Sequence, residues 1–121
     1  MVEDRRALGA AGERAAERFL RRQRYTIVER NYRTPAGEID LIALDGPTVV
    51  FVEVKTRTGS AHGSPFDAVD LRKQRQIIRA AQRFLAAKRL LERPARFDVV
   101  GVWWEDGDPR CELIRNAFEA S

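Results

Sequence analysis

The spacing of apolar positions changes period several times along the chain. In residues 5–23, Leu8, Ala11, Gly12, Ala15, Ala16 and Phe19 fall on one stripe at helical spacing, and Arg14, Arg18, Arg21 and Arg22 lie largely outside it. This predicts a first helix. Over residues 25–33 the pattern shortens, and Tyr25, Ile27 and the run Val28-Glu29-Arg30-Asn31-Tyr32 predict a first strand. Thr34-Pro35-Ala36-Gly37 is a turn signal, and residues 38–44 form a second strand. Asp45-Gly46-Pro47 then joins it to a β-branched third strand at 48–56, so these two form an antiparallel hairpin. A loop with Gly59, Gly63, Ser64 and Pro65 leads to a long helix at 67–89, whose buried stripe is Ile77, Ala80, Ala81, Phe84 and Leu85. Pro94 closes that region. Residues 96–104 predict a fourth strand, followed by a short strand at 110–114 and a brief helical tail. The order is α-β-β-β-α-β with one extra strand, an α/β domain with a mixed central sheet.

Polar residues interrupt this pattern in an informative place. Alternate side chains of a strand share a face, so Glu38, Asp40 and Ile42 group on the second strand, and Val49, Phe51, Glu53 and Lys55 on the third. Val50, Val52 and Val54 pack the other way. The third strand therefore reads as a central strand, covered on both sides, whose C-terminal end opens into a polar site. Opposed Cβ atoms on neighbouring strands lie about 4.5–5.5 Å apart. Two bare carboxylates about 5 Å apart repel by roughly 3 kcal/mol at an effective dielectric near 20. A cation must answer that charge. One answer is Mg²⁺ or Mn²⁺ on Asp40 and Glu53, with Lys55 turned to a water or phosphate. The other is a cross-strand salt bridge between Asp40 and Lys55, worth about 0.2–1 kcal/mol.

Composition narrows the chemistry. The 121 residues fit a single domain, 1–121, that buries a core without staples. His62 is the only histidine and Cys111 the only cysteine, which excludes an internal disulfide and a Cys/His zinc site. A metal here would take oxygen ligands. The formal charge is +4, and of 22 basic residues only Lys55, Lys73 and Lys88 are lysines. Arginine forks suit phosphate, so nucleic acid is a candidate partner. No apolar run reaches the roughly 18 residues of a membrane span. The charged start, Met1 to Arg6, has no signal-peptide pattern, so the expected location is cytoplasmic, with no membrane partner.

Three ordered runs carry a resemblance: Arg30-Asn31-Tyr32-Arg33, Gly37-Glu38-Ile39-Asp40-Leu41-Ile42-Ala43, and Val50-Phe51-Val52-Glu53-Val54-Lys55-Thr56-Arg57. With them the chain resembles the YraN family, also designated UPF0102. Nearly the whole chain takes part, from Gly12-Glu13 to Arg96-Phe97-Asp98-Val99-Val100. The resemblance implies the PD-(D/E)XK nuclease superfamily, close to archaeal Holliday-junction resolvases, and a restriction-endonuclease-like core. It implies an endonuclease that hydrolyses phosphodiester bonds in DNA, including branched or structured DNA, with Mg²⁺ or Mn²⁺. The alternative is a nucleic-acid-binding protein that keeps the fold but cuts weakly or not at all. By the same resemblance Asp40, Glu53 and Lys55 are catalytic. Asp40, Glu53, the Val54 carbonyl and the helix residue Glu13 are metal ligands, and analogy suggests a homodimer.

Several other residues each carry a choice of role. Lys73 lies four residues before Ile77, so either it meets a phosphate at the site or its stem snorkels; Gln74 beside it offers the same choice. Arg57 follows the Glu-x-Lys strand and either touches a nucleic-acid backbone or stands solvated. His62 is read as a plain exposed loop residue. Asp98, inside an apolar strand, is read as an arginine's structural partner. Of Trp103 and Trp104, facing opposite ways, one belongs to the core and the other to a base stack or an interface. Cys111 is read as inert.

Overall fold

The computed structural model describes residues 5–58 and 69–120. The elements are α1 (Arg5–Arg22), β1 (Thr26–Thr34), β2 (Gly37–Asp45), β3 (Thr48–Thr58), α2 (Leu71–Ala87), β4 (Ala95–Glu105) and β5 (Asp108–Phe118). Five strands form one sheet in the order β1-β2-β3-β4-β5. The β1–β2, β2–β3 and β4–β5 pairs are antiparallel, and β3–β4 is parallel. A parallel neighbour needs a crossover, and α2 supplies it. The mixed sheet and the α-β-β-β-α-β order expected from the sequence are both present.

Among the described residues, each face of the sheet carries one helix. Ile39, Ile42, Val49, Phe51, Phe97 and Val99 pack with the buried stripe of α2, Ile77, Ala80, Ala81, Phe84 and Leu85. Leu41, Ala43, Val50, Val52, Val54, Val100 and Val102 pack with Ala15, Ala16 and Leu20 of α1. β3 thus contributes to both layers, as its double apolar pattern predicts. The loop residues Gly59, Gly63, Ser64 and Pro65, and His62 with them, lie outside the described residues.

Three sequence expectations are corrected. α2 begins at Leu71 because the Asp70 side chain caps it, accepting from the Lys73 N–H at 2.8 Å. Residues 115–118 are strand, not helical tail: β5 runs to Phe118, which pairs with Phe97 and stacks on its ring at 4.9 Å. That stacking, with the Asn116 N–H held by Asp98, keeps the segment extended past a bulge. On β2 the alternation fails. Ile39 and Ile42 both pack beneath α2, so the pleat is broken between them, at Asp40.

Candidate active site

The break at Asp40 builds the site. The β2–β3 register stops at Leu41↔Val52, although both strands run on. Beyond it the Asp40 Oδ2 accepts the Val54 N–H at 2.8 Å, a donor that a continued ladder would have used. The carboxyl of Asp40 is thereby fixed beside Glu53. Glu53 points to the α2 side, only 5% exposed. Its Oε1 lies 3.8 Å from the Lys55 Nζ and 3.9 Å from the Lys73 Nζ on the first turn of α2. Its Oε2 is buried and, among the described residues, meets no hydrogen-bond donor.

These surroundings set the protonation states. Burial, then the charge of Asp40, pushes the Glu53 carboxyl up to about 8, against the pull of Lys73 and Lys55. Burial also raises Asp40, although the Val54 N–H favours its charged form. The charge of Asp40 thus favours the protonated form of Glu53. Glu13 of α1 is pushed up to about 7 by burial and by the charges of Asp40 and Glu38. So at neutral pH this corner resists full ionisation unless a cation enters.

A cavity of about 520 Å³ opens onto the group, lined by Leu8, Gly9, Glu13, Asp40, Glu53, Val54, Thr56 and Arg57. The structure therefore brings Asp40, Glu53, Val54, Lys55, Arg57, Lys73 and Glu13 to one place. Among the described residues no three Asp, Glu, His or Cys side chains gather closely enough to hold one ion, so Glu13, Asp40 and Glu53 do not form a ready three-carboxylate cluster. The Asp40–Lys55 salt bridge is not formed; Lys55 pairs with Glu53. Gln74 serves elsewhere, donating to the Val69 carbonyl at 3.0 Å.

Two contributors escaped the sequence reading. Asn31 of β1 has a left-handed backbone, φ 51°, that asparagine tolerates better than most residues. In the orientation that satisfies its neighbours, its amide donates to Glu13 Oε1 at 2.8 Å and Glu38 Oε1 at 3.3 Å. A short polar residue inside a strand pattern was the signal available for it. Gly12 is the second. A Cβ there would collide with the Thr56 Oγ1, so α1 rests against β3 only because this position is bare. Gly12→Ala is expected to lift α1, displace Glu13, and cost about 1–3 kcal/mol in urea unfolding. Adding Thr56→Ala removes the nearest atom and should recover part of the loss. Equal losses in the single and double variants would show that the contact does not set the helix position.

The remaining residues are structural. Asp98 is fully buried and bound by Arg96, Tyr25 and the Asn116 N–H. Trp103 is buried with Arg110 over its ring, 5.3 Å from the centroid, and Trp104 packs in the α1 layer. Neither tryptophan stands free as a stacking platform. Burial pushes the Cys111 thiol up, which suits an inert residue. No helix among the described residues is long and apolar enough to cross a membrane.

A sequence profile described as "Uncharacterised protein family UPF0102" matches residues 12–102. A UPF0102 protein of Geobacter metallireducens is 51% identical over 114 residues, covering 94% of this chain and 93% of the relative. One from Symbiobacterium thermophilum is 52% identical over 116 residues, covering 95% of this chain and 98% of its own. One from Desulfosudis oleivorans is 51% identical along all 121 residues, covering 97% of its own length. The profile's span contains Glu13, Asp40, Glu53, Val54, Lys55, Arg57 and Lys73, while Leu8 and Gly9 of the cavity lie before it.

Proposed function

This chain belongs to the uncharacterised protein family UPF0102, and we propose that it is a metal-dependent phosphodiester hydrolase, an endonuclease acting on DNA. The observation that carries the reading is the Glu53 carboxyl: buried, with one oxygen that meets no donor among the described residues, beside Asp40 and between two lysines. A buried acid in such a place is costly unless it is used. The donor set fits a hard divalent cation, since Asp40, Glu53 and the Val54 carbonyl are all oxygen ligands. Mg²⁺ or Mn²⁺ bound there would supply a water of lowered pKa and charge neutralisation at a phosphate.

The chain's own residues do the rest. Lys55 and Lys73 offer ammonium groups to a phosphate and to the negative charge that grows as water adds to phosphorus. Arg57, lining the cavity, orients a neighbouring phosphate. Glu13, held by Asn31, lines the cavity from the α1 side. An Asp on β2, a Glu-x-Lys on β3 and the α-β-β-β-α-β order agree with the resemblance to PD-(D/E)XK nucleases and to junction resolvases among them.

A second reading, a DNA-binding protein without cleavage, draws on one observation. Asp40 already holds the Val54 N–H, which leaves it fewer lone pairs for a metal. Mn²⁺ titration by calorimetry, then incubation with linear, single-stranded and four-way DNA, separates the two. Cleavage that needs the metal, and that disappears in Asp40→Asn and Lys55→Ala, is the expected result. Mobility shifts without cuts, unaltered by Lys55→Ala, favour the second reading.

A further inference from the structure

α2 has a charge pattern that the site does not use. Its sequence, Leu71 to Ala87, holds five basic side chains and no acidic one. Lys73 turns to Glu53. The other four, Arg72, Arg75, Arg79 and Arg83, are all exposed. At 3.6 residues per turn they fall within an arc of about 80°, along roughly 16 Å of helix. Among the described residues none of the four makes an ion pair or side-chain hydrogen bond.

Such a stripe opposes helix stability. Arg72–Arg75, Arg75–Arg79 and Arg79–Arg83 are like charges at three- and four-residue spacing, each unfavourable by about 0.2–0.5 kcal/mol. Glutamate at any of these positions would relieve the strain, as Glu17 does on α1, where it bonds both Arg21 and Arg30. α2 has no such relief. A bound polyanion would supply it.

We infer that the Arg72–Arg75–Arg79–Arg83 face of α2 docks the phosphate backbone of the nucleic-acid substrate, outside the cleavage site. The inference rests on the proposed DNA activity and extends its footprint. Arg72 precedes Lys73 in sequence, so the stripe starts at the helix end that reaches Glu53 and leads away from it. Its length matches several phosphates on either strand of a duplex, whose charges come every 3.4 Å per strand. Guanidinium forks suit phosphate better than point charges do. An anionic membrane fits less well, because an interfacial helix must insert an apolar face, and α2 turns that face into the sheet.

The test is the salt dependence of duplex binding by fluorescence anisotropy, in EDTA, so that no cut occurs. A variant with all four arginines changed to glutamine keeps good helix formers and removes the repulsion. The slope of log affinity against log salt should shrink by about 3–4, at roughly 0.9 per phosphate contact. A control of equal charge change, Arg24, Arg89, Arg93 and Arg110 to glutamine, should shrink it far less. Mn²⁺ binding by calorimetry should survive in both. An unchanged slope, or equal falls in both variants, overturns the inference and leaves the proposed activity standing. So does a stripe variant that loses only its hold on phosphatidylserine vesicles. A wild-type protein that binds no DNA sinks the proposed activity itself, and this inference with it.

Discussion

Replacing Asp98 with alanine is expected to cost about 3–5 kcal/mol in urea unfolding, enough to unfold much of the population of a marginally stable domain. The side chain is wholly buried in β4. Its Oδ1 accepts from the Arg96 Nε at 2.9 Å and from the Asn116 N–H at 2.9 Å. Its Oδ2 accepts from the Tyr25 hydroxyl at 2.9 Å. The Arg96 Nη2 also reaches Tyr25 at 2.8 Å and Asp45 at 2.9 Å. This one carboxylate thus ties the α1–β1 connection, the end of β2 and the β5 bulge to β4. Removing it leaves a half-buried guanidinium short of its main counter-charge, and that exposed deficit is the larger part of the loss. Asp98→Ala combined with Arg96→Met should therefore cost less than the two single changes added together. Strict additivity would mean that the residues do not act as a unit.

Asp98 also shows what was legible beforehand. An acid within Phe97-Asp98-Val99-Val100 cannot stay unpaired in a core, so an arginine partner was expected, though not which one. The element order and the α2 stripe followed from periodicity for the same reason: burial on one or two faces leaves a strict pattern. On α1 the stripe was right at Ala15 and Ala16, but the helix buries Leu20 more deeply than Phe19. The strand at 110–114 followed too, but its continuation to Phe118 did not, because Arg115 and Asn116 interrupt the alternation and only the bulge opposite Asp98 explains them. The acidic pair was visible as Asp40 and Glu53, but its geometry was not. Regular alternation placed Asp40 with Ile42, whereas the chain breaks its pleat there and gives Asp40 the Val54 N–H. Asn31 and Gly12 were hidden because their roles are defined by contacts, with Glu13 and Thr56, that lie far off in sequence.

The stability of the metal-free protein is expected to fall as pH rises from about 4.5 to 8, and Glu53→Gln should remove most of that fall. Burial beside Asp40 moves the Glu53 carboxyl from its ordinary 4.5 up to about 8. The folded form therefore holds a proton that the unfolded chain has released. Stability from this group is fully present below the unfolded value and is lost as pH climbs through the folded one. At about 1.4 kcal/mol per tenfold change in proton affinity, the loss is on the order of 3–5 kcal/mol. Glu13, raised to about 7, adds a smaller slope of the same sign. Glutamine keeps the shape and cannot ionise, so urea midpoints in EDTA should match wild type near pH 4.5 and exceed it at pH 8.5. A divalent cation competes for the same oxygens. Mn²⁺ at a hundred times its dissociation constant should restore about 2.7 kcal/mol to the wild type at pH 8. It should do little at pH 5, where the proton already occupies the site, and nothing for Glu53→Gln. The two effects share one cause, a carboxyl buried beside Asp40. A flat pH profile in EDTA, or equal Mn²⁺ stabilisation of both proteins, would show that Glu53 is neither the proton holder nor the metal ligand.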